Sequence, residues 1–303
     1  MDFKGLDLNL LYVLDALLNE KSVTRTGDRI HLSQSATSGA LARLRVFFDD
    51  ELLVQIGHKL VLSPLAEELV EPVRDLLLRV ETIITKVATF KPETTHRRFR
   101  VMVSDYVVTA IMPEVLERLQ REAPGATLDL LSNAESPVEC LERGEVDLLI
   151  MPKQYISQVQ PSEDLFEDRY ECVVWSGNKA FEGGVTLDQY LTAGHVAVRL
   201  GRQQMPVFDE WVFERSGQKR HIEVVTMAFN TVPQLLIGTS RIATLPHRLA
   251  ARYVPYLPLR LLPAPIDLPP LVESMQWHKY RTQDSAVSWF RRLLKDVAAQ
   301  TRA

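Results

Sequence analysis

The chain of 303 residues is short of several things, and each shortage excludes a class of protein. Its two cysteines, Cys140 and Cys172, cannot build a disulfide framework or a Cys-x-x-Cys zinc site. No apolar run approaches the length needed to span a bilayer, and the opening MDFKGLDLNLLYVLDALLNE is broken by Asp7, Asn9 and Asp15, unlike a secretory leader. The expectation is a cytoplasmic protein away from membranes. There is no glycine-rich phosphate loop after a strand and no Gly-x-Ser-x-Gly elbow. Ser104, Asp105 and His195 have the residue types of a hydrolytic triad without a nucleophile's context, while His247 and His278 lack metal-ligand spacing. The reading is no enzyme, no metal and no cofactor. An excess of positive charge is missing too: the net charge is −4, which by itself leans away from nucleic acid.

What the sequence does contain begins with helices. Leu6, Leu8, Leu10, Leu11, Leu14 and Leu17–Leu18 recur at helical spacing up to Glu20. Ser22 offers an N-cap for a helix from Val23 to Ile30. After a tight His31–Leu32 turn, Ser33 offers another for QSATSGALARLRVFF, with Ala36, Ala40, Leu41 and Leu44 as its buried side. Two helices joined by so short a turn, the second polar at its start, have helix-turn-helix geometry. LLVQI (52–56) and LVL (60–62) flank Gly57–His58–Lys59 as a wing-sized hairpin. From Ser63–Pro64 a helix of roughly 25 residues, about 37 Å long, carries Leu69, Val73, Leu76, Val80, Ile83 and Val87 in a heptad seam. Such a seam suits pairing with a second copy; the other possibility is a helix lying on its own domain.

KPETT (91–95) breaks this helix as a hinge, and the pattern changes. FRVMVS (99–104), TLDLLS (127–132) and VDLLIM (146–151) read as strands around helices at 113–124 and 137–145, a βαβαβ order that predicts a parallel sheet. ECVVWSG, HVAVRL (195–200), IEVVTMA (222–228) and IATLP (242–246), with helices around FDEWVFERSG and HRLAARY, suggest a second α/β lobe. VESMQWH (272–278) and SAVSWFRRLLKDVAA (285–299) look like a return to the first. A cleft between two such lobes is where open α/β folds place ligands.

Over essentially its full length, in segment order as well as motifs, the chain resembles LysR-type transcriptional regulators. The stretches that carry the likeness are DLNLLYVLDALLNEKSVTRTGDRIHLSQSATSGALARLR, FFDDELL, LVLSPLAEELVEPV, and FRVMVSDYV, RGEVDLLIMP, GHVAVRLGR and RIATLP. They look most like the branch of nodulation and aromatic-degradation regulators. The resemblance implies a multidomain fold: a winged helix-turn-helix head (1–63), a linker helix for dimerisation (64–90), a hinge (91–97), and a two-lobed α/β effector domain like a periplasmic binding protein (98–303). Lobe I would take about 98–168 and 269–303, lobe II about 169–268. It also implies double-stranded promoter DNA with an inverted repeat, a small aromatic effector, activation with RNA polymerase as partner, and a homodimer or homotetramer. The chain departs from the family's habit at Thr26–Gly27, Ser35, Gly39 and Gln55. Gly27 in a helix interior costs about 1 kcal/mol against alanine unless a close helix crossing demands it.

For DNA, Ser33 and the free amides at its helix start suit a phosphate. Gln34 suits a bidentate contact with adenine, and Ser35, Thr37 and Ser38 single hydrogen bonds or thymine packing. Arg43, Arg45, His58 and Lys59 are candidates for backbone neutralisation, although Arg45 could pair with Asp49 instead. Residues 1–66 hold seven cations against eight anions, so any basic face is local. The effector candidates are Ser104, Asp105, Tyr106, Ser132 with Asn133, Met151 and Pro152 at the strand ends of lobe I, and His195, Arg199, Gly201, Arg202, Phe229, Asn230 and Thr231 in segments that line the cleft of similar regulators. Asp105 opposes an anion unless it turns away or caps its helix. Arg202 suits an anionic head group, and Phe229 with Tyr106 an aromatic ring. The competing reading is a small-molecule-binding module whose head serves dimerisation without reading DNA.

Overall fold

The computed structural model describes residues 6–57, 59–87, 90–132, 136–200, 205–206 and 219–301. Contacts divide it into two compact units, residues 1–88 and 89–303. No helix among the described residues is long and apolar enough to cross a membrane.

The first unit opens with α1 (Leu8–Glu20), capped by Asp7, whose carboxylate accepts the Leu10 N–H. α2 (Val23–Ile30) and α3 (Gln34–Phe48) follow, capped by Ser22 and Ser33. β1 (Leu53–Ile56) and β2 (Lys59–Leu62) form the antiparallel wing, and α4 (Pro64–Val87) leaves it. Leu10, Leu14 and Leu17 of α1 meet Ala40, Leu41 and Leu44 of α3 in a core closed by Leu52, Leu53, Ala66 and Val73. Each of these leucines and valines contributes about 1.5–3 kcal/mol on leaving water. The expected buried side of α3 shifts by one position. Ala36 is exposed and Thr37 is buried, because the Thr37 hydroxyl folds back to donate to the Ser33 carbonyl at 3.0 Å.

Gly27 has its reason in this packing. A Cβ there would stand 2.7 Å from the Leu32 carbonyl oxygen and 3.2 Å from the Thr37 hydroxyl. Close approach of the turn to α2 therefore outweighs glycine's poor helix propensity.

The heptad seam of α4 is divided between two environments. Leu69, Val70, Val73 and Leu77 pack on the core of the head, and Arg74 is buried against Asp15 of α1 at 2.8 Å. Leu76, Ile83 and Ile84 are exposed. One face of the helix as far as Leu78 thus lies on its own domain, and Leu76, Ile83 and Ile84 turn apolar side chains outward.

The second unit holds two mixed sheets. The first has the order β4 (Thr127–Leu131), β3 (Arg98–Met102), β5 (Leu148–Pro152), β13 (Leu271–Gln276), β6 (Ser162–Asp168). β3 runs parallel to β4 and β5, as the βαβαβ pattern predicts; β13 is antiparallel to β5 and β6. The second runs β10 (His221–Thr226), β8 (Gly194–Leu200), β11 (Ile242–Pro246), β7 (Tyr170–Trp175), β12 (Leu259–Pro263), with β9 (Met205–Pro206) against β8. The segment FDEWVFERSG lies outside the described residues.

Helix α5 (Asp105–Glu122) begins eight residues before the Pro113 start read from the sequence. Ser104 caps it, and burial of Tyr106, Val107, Ala110 and Ile111 carries the helix through Pro113. α6 (Pro137–Glu142), α7 (Leu187–Thr192), α8 (Val232–Leu236), α9 (His247–Tyr253) and α10 (Ser285–Gln300) complete the unit. α5 and α10 cover one face of the first sheet, where Phe99 stacks on Phe290 with centroids 4.5 Å apart. The same core continues into Val196, Val232, Leu236, Leu245 and Leu249 of the second lobe. The two lobes therefore share one hydrophobic core.

Candidate functional site

The start of α3 is built from its cap outward. The Ser33 hydroxyl accepts the Ala36 N–H at 3.2 Å and lies 3.0 Å from the Ser35 hydroxyl. Ser33, Gln34, Ser35, Ser38 and Arg43 are all exposed. Gly39 sits among them with open space around it. Unpaired amides, a positive dipole end and exposed polar side chains form a surface suited to a phosphate and base edges.

Two of the candidates for this surface are employed elsewhere. Thr37 is fully buried with its hydroxyl spent on Ser33, so it offers nothing to a base. Arg45 donates to the carbonyls of Glu51 and Leu53 at 2.8 and 2.9 Å and pairs with the Glu51 carboxylate at 3.1 Å. It fastens the end of α3 to the wing. Asp49, its alternative partner, is instead the left-handed C-cap of α3. Lys59 is exposed at the wing, opposite Ile56; His58 lies outside the described residues. Gln55 donates to the Gly57 carbonyl at 3.1 Å and tightens the wing turn. Arg25 and Arg29 both lean on Glu20, which lowers the local positive charge.

In the second unit Ser104, Asp105, Tyr106, Phe229 and Asn230 meet at the start of α5, between the lobes. Ser104 accepts the Val107 N–H at 3.3 Å as a helix cap. Asp105 does not cap: its carboxylate reaches across and accepts the Asn230 backbone N–H at 2.8 Å, while its carbonyl accepts from the Asn230 amide at 3.3 Å. Thr109, a turn further on, donates to the Asn230 side-chain oxygen at 2.9 Å. One asparagine of lobe II is thus held by three hydrogen bonds to one helix of lobe I. Thr109 escaped the sequence reading because that reading started the helix at Pro113.

The two aromatic candidates are core residues. Tyr106 is 1% exposed and donates its hydroxyl to Asp168 at 2.7 Å; Phe229 is 8% exposed and packs on Tyr106 with centroids 5.9 Å apart. Neither is placed to clasp a ring in solvent-accessible space. His195 is likewise interior. The Tyr190 carbonyl accepts from its Nε2 at 2.6 Å, and burial lowers its pKa to about 4, so it stays neutral. It supports the second sheet.

Ser132 is exposed at the end of β4, and Met151 and Pro152 are half-buried at the end of β5. Thr231 is exposed, with its hydroxyl 2.7 Å from that of Thr226 and donating to the Ala228 carbonyl. Asn133, Gly201 and Arg202 lie outside the described residues. Residues near this junction that the sequence did not reveal include Asp168, Glu273, and Arg252, whose guanidinium bonds to the Ala110 carbonyl and Glu114 of α5. Burial raises the pKa of Asp168, and burial beside Asp168 raises that of Glu273 to about 8.

Residues 8–67 match the family model described as the bacterial regulatory helix-turn-helix protein, lysR family, and residues 92–299 match the LysR substrate binding domain. The chain is 42% identical to nodulation protein D 2 of Rhizobium tropici, over 99% of this chain and 95% of that protein. Among solved structures, a probable transcriptional regulator of Pseudomonas aeruginosa is 30% identical with a TM-score of 0.66, covering 97% of this chain and 98% of that one. Full-length CbnR complexed with its target DNA shares the fold at 16% identity and a TM-score of 0.54, covering 97% of this chain and all of that one. A helix-turn-helix head with an open polar helix start, followed by two α/β lobes joined through one core, is thereby accounted for: the chain belongs to the LysR family of DNA-binding transcriptional regulators and is not an enzyme.

Proposed function

We propose that this regulator binds an inverted-repeat promoter site with paired heads, senses a small aromatic compound at the junction of its lobes, and acts as an activator in the cytoplasm. The observation that carries the DNA reading is the free surface at the start of α3: Gln34, Ser35, Ser38 and Arg43 stand exposed around a capped helix N-terminus. Because the head is not basic overall, affinity comes from two heads on one duplex and falls with salt. The outward apolar side chains of α4, Leu76, Ile83 and Ile84, support pairing of two copies. Dimers joined through effector domains into a tetramer, and contact with RNA polymerase, complete the proposal.

For the effector, support comes from Ser104 at the cap of α5 and Asn230, which α5 holds across the lobes, with Thr231 next to it and Ser132, Met151 and Pro152 at the ends of the strands flanking β3. A compound that competes for Asn230 or for the Asp105 carboxylate shifts the balance between lobe arrangements, a population shift within one fold. The relatives named nodulation protein D support an aromatic effector and activation only by analogy.

The test is a gel shift with the promoter beside the gene. Salt-sensitive, specific binding is expected. The Gln34→Ala, Ser38→Ala double variant should lose specific binding by at least about tenfold, since each base contact contributes about 1–3 kcal/mol, while the oligomeric state stays unchanged. A double variant that still footprints the site would place recognition elsewhere, and absence of any specific binding would favour the dimerisation-module reading. A thermal-shift screen of phenols, benzoates and flavonoids addresses the effector; failure of all three classes to raise the melting temperature of the second unit refutes an aromatic ligand.

A further inference from the structure

The chain crosses between the lobes twice, from β6 into β7 at Asp168–Tyr170 and back from β12 to β13 through residues 264–270. In the antiparallel ladder of β6 and β13, Leu271 lies opposite Asp168 and Glu273 opposite Phe166. Asp168 and Glu273 are therefore diagonal neighbours on one sheet face, each beside a crossing. The first turn of α5 covers that face, with Tyr106 edge-on to Phe166 at 6.2 Å.

The two carboxyls are served unequally. Asp168 accepts from the Tyr106 hydroxyl at 2.7 Å, the Arg169 N–H at 2.8 Å and the Arg248 N–H at 3.0 Å. Three donors make a place for an anion. Glu273 is 2% exposed, and its Oε2 has no hydrogen-bond partner among the described residues. The register breaks directly after it, between Glu273 and Ser274. The charged and titratable groups of this cluster are Asp168 of β6, whose charge acts on Glu273, Tyr106 of α5, which interacts with both carboxyls, and beyond them Arg248 of α9 beside Asp168 and Tyr170 of β7 beside Tyr106. Arg248 gives its guanidinium to the carbonyls of Ala298 and Thr301 and lays it over the Phe166 ring at 4.6 Å. Burial holds Tyr106 neutral, its pKa raised well above the ordinary tyrosine range. An ionised Glu273 would be a desolvated anion beside a second anion; a neutral carboxylic acid is tolerated there.

We propose that Glu273 is a proton-binding site in the hinge between the lobes, neutral in the packed arrangement described here, and that its ionisation loosens the hinge. Burial and the Asp168 charge, which push its pKa from 4.5 up to about 8, agree with this geometry. The sign follows from the raised folded value. Stability is fully present below the unfolded carboxyl range and is lost as pH rises to about 8. His195 acts oppositely and at lower pH: its lowered value withdraws stability only as pH falls from 6.5 toward about 4. The window from about pH 6.5 to about pH 9 therefore isolates Glu273 from His195.

The test uses the full chain. At neutral pH, the infrared carbonyl band of a protonated carboxylic acid should be present in the wild type and lost in Glu273→Gln. The melting temperature of the second unit should fall across that window in the wild type and stay nearly level in Glu273→Gln. Nitroxide labels at Glu142→Cys on α6 and Asp188→Cys on α7, in a Cys140→Ser background with Cys172 buried, read the lobe separation. Their distance distribution should change with pH only when Glu273 is present. A carbonyl band unaffected by the substitution, or a lobe distance that moves equally in Glu273→Gln or does not move at all, overturns the proposal. Should Glu273→Gln fail to fold, Asp168→Asn serves instead: removing the neighbouring anion must move the wild-type transition to lower pH, and an unmoved transition is a refutation.

Discussion

Ser33 and Ser104 do the same local job in the two units, and their surroundings show how differently the units are built. Both are N-cap serines whose hydroxyl accepts a backbone N–H three residues on. Around Ser33 the next residues, Gln34 and Ser35, face solvent, and the helix start is left open. Around Ser104 the next residues are Asp105, tied across to Asn230, and Tyr106, buried and tied to Asp168. The first unit keeps its polar recognition chemistry outside a closed core. The second spends the same kinds of side chain on holding two lobes together, so a ligand there must compete with existing bonds. That is the difference between an open polar surface and a closed polar junction.

Buried charge divides the units in the same way. The head pairs its interior cation, Arg74, with Asp15 at 2.8 Å. The second unit places two carboxyls, Asp168 and Glu273, side by side with hydrogen-bond donors for only one. In the unequal arrangement, burial and the Asp168 charge push the pKa of Glu273 up to about 8. The largest effect expected from breaking the contrast is in the head. Asp15→Ala removes the carboxylate that faces the buried Arg74 guanidinium, which costs about 3 kcal/mol. Denaturant unfolding should show the loss in the head's transition, with the second unit's unchanged. A loss below about 1 kcal/mol, the scale of an exposed pair, would mean that Arg74 finds water or another anion and that the head is less closed than described.

A smaller effect tests the junction. Asn230→Ala keeps the backbone N–H that Asp105 accepts but removes the side-chain bonds to Asp105 and Thr109. The cost should be about 1–2 kcal/mol, confined to the second unit, and amide exchange at the first turn of α5 should speed up. Unchanged exchange there would show that the shared core alone, with Phe229 against Tyr106, holds the lobes. Phe229→Ala is the poorer probe of ligand response, since removing a buried ring costs about 3–5 kcal/mol whether or not a ligand is near.

How much could be read beforehand follows the same divide. Caps, helical spacing and the wing turn are local signals, so Ser22, Ser33 and the exposed face of α3 were legible from neighbours in the chain. Thr37 was misplaced because a hydroxyl can bond back to its own helix four residues earlier, a choice that spacing alone does not decide. In the second unit the parallel strands are legible, yet Tyr106, Phe229 and His195, which the pattern assigns to a cleft, lie in the core. Their roles depend on partners 62, 123 and 5 residues away in sequence, at Asp168, Tyr106 and Tyr190. Asn230 was named, but its partners Asp105 and Thr109 became visible only once α5 was seen to start at Asp105. The strand register that sets Glu273 beside Asp168 has no local signal at all.

The finest contrast comes from the two helical glycines of the head, which separate packed surface from open surface at the scale of one methyl group, the smallest effect being the one at Gly39. At Gly27 a Cβ would meet the Leu32 carbonyl oxygen at 2.7 Å, a backbone atom that cannot swing aside, so Gly27→Ala should destabilise by about 1–3 kcal/mol through overpacking. At Gly39 a Cβ meets nothing within 4 Å and the position lies inside α3. Gly39→Ala should therefore stabilise the head by roughly 0.5–1 kcal/mol, the helix-propensity difference, and raise its melting temperature. On the proposed placement of DNA at this face the added methyl points toward the duplex, so the same variant also gauges how closely it approaches. Specific affinity within about twofold of wild type would mean that α3 leaves room for a side chain there; each 1.4 kcal/mol of clash would appear as about a tenfold loss. Destabilisation by Gly39→Ala in the absence of DNA would break the contrast outright, because it would mean that this face of α3 is already covered.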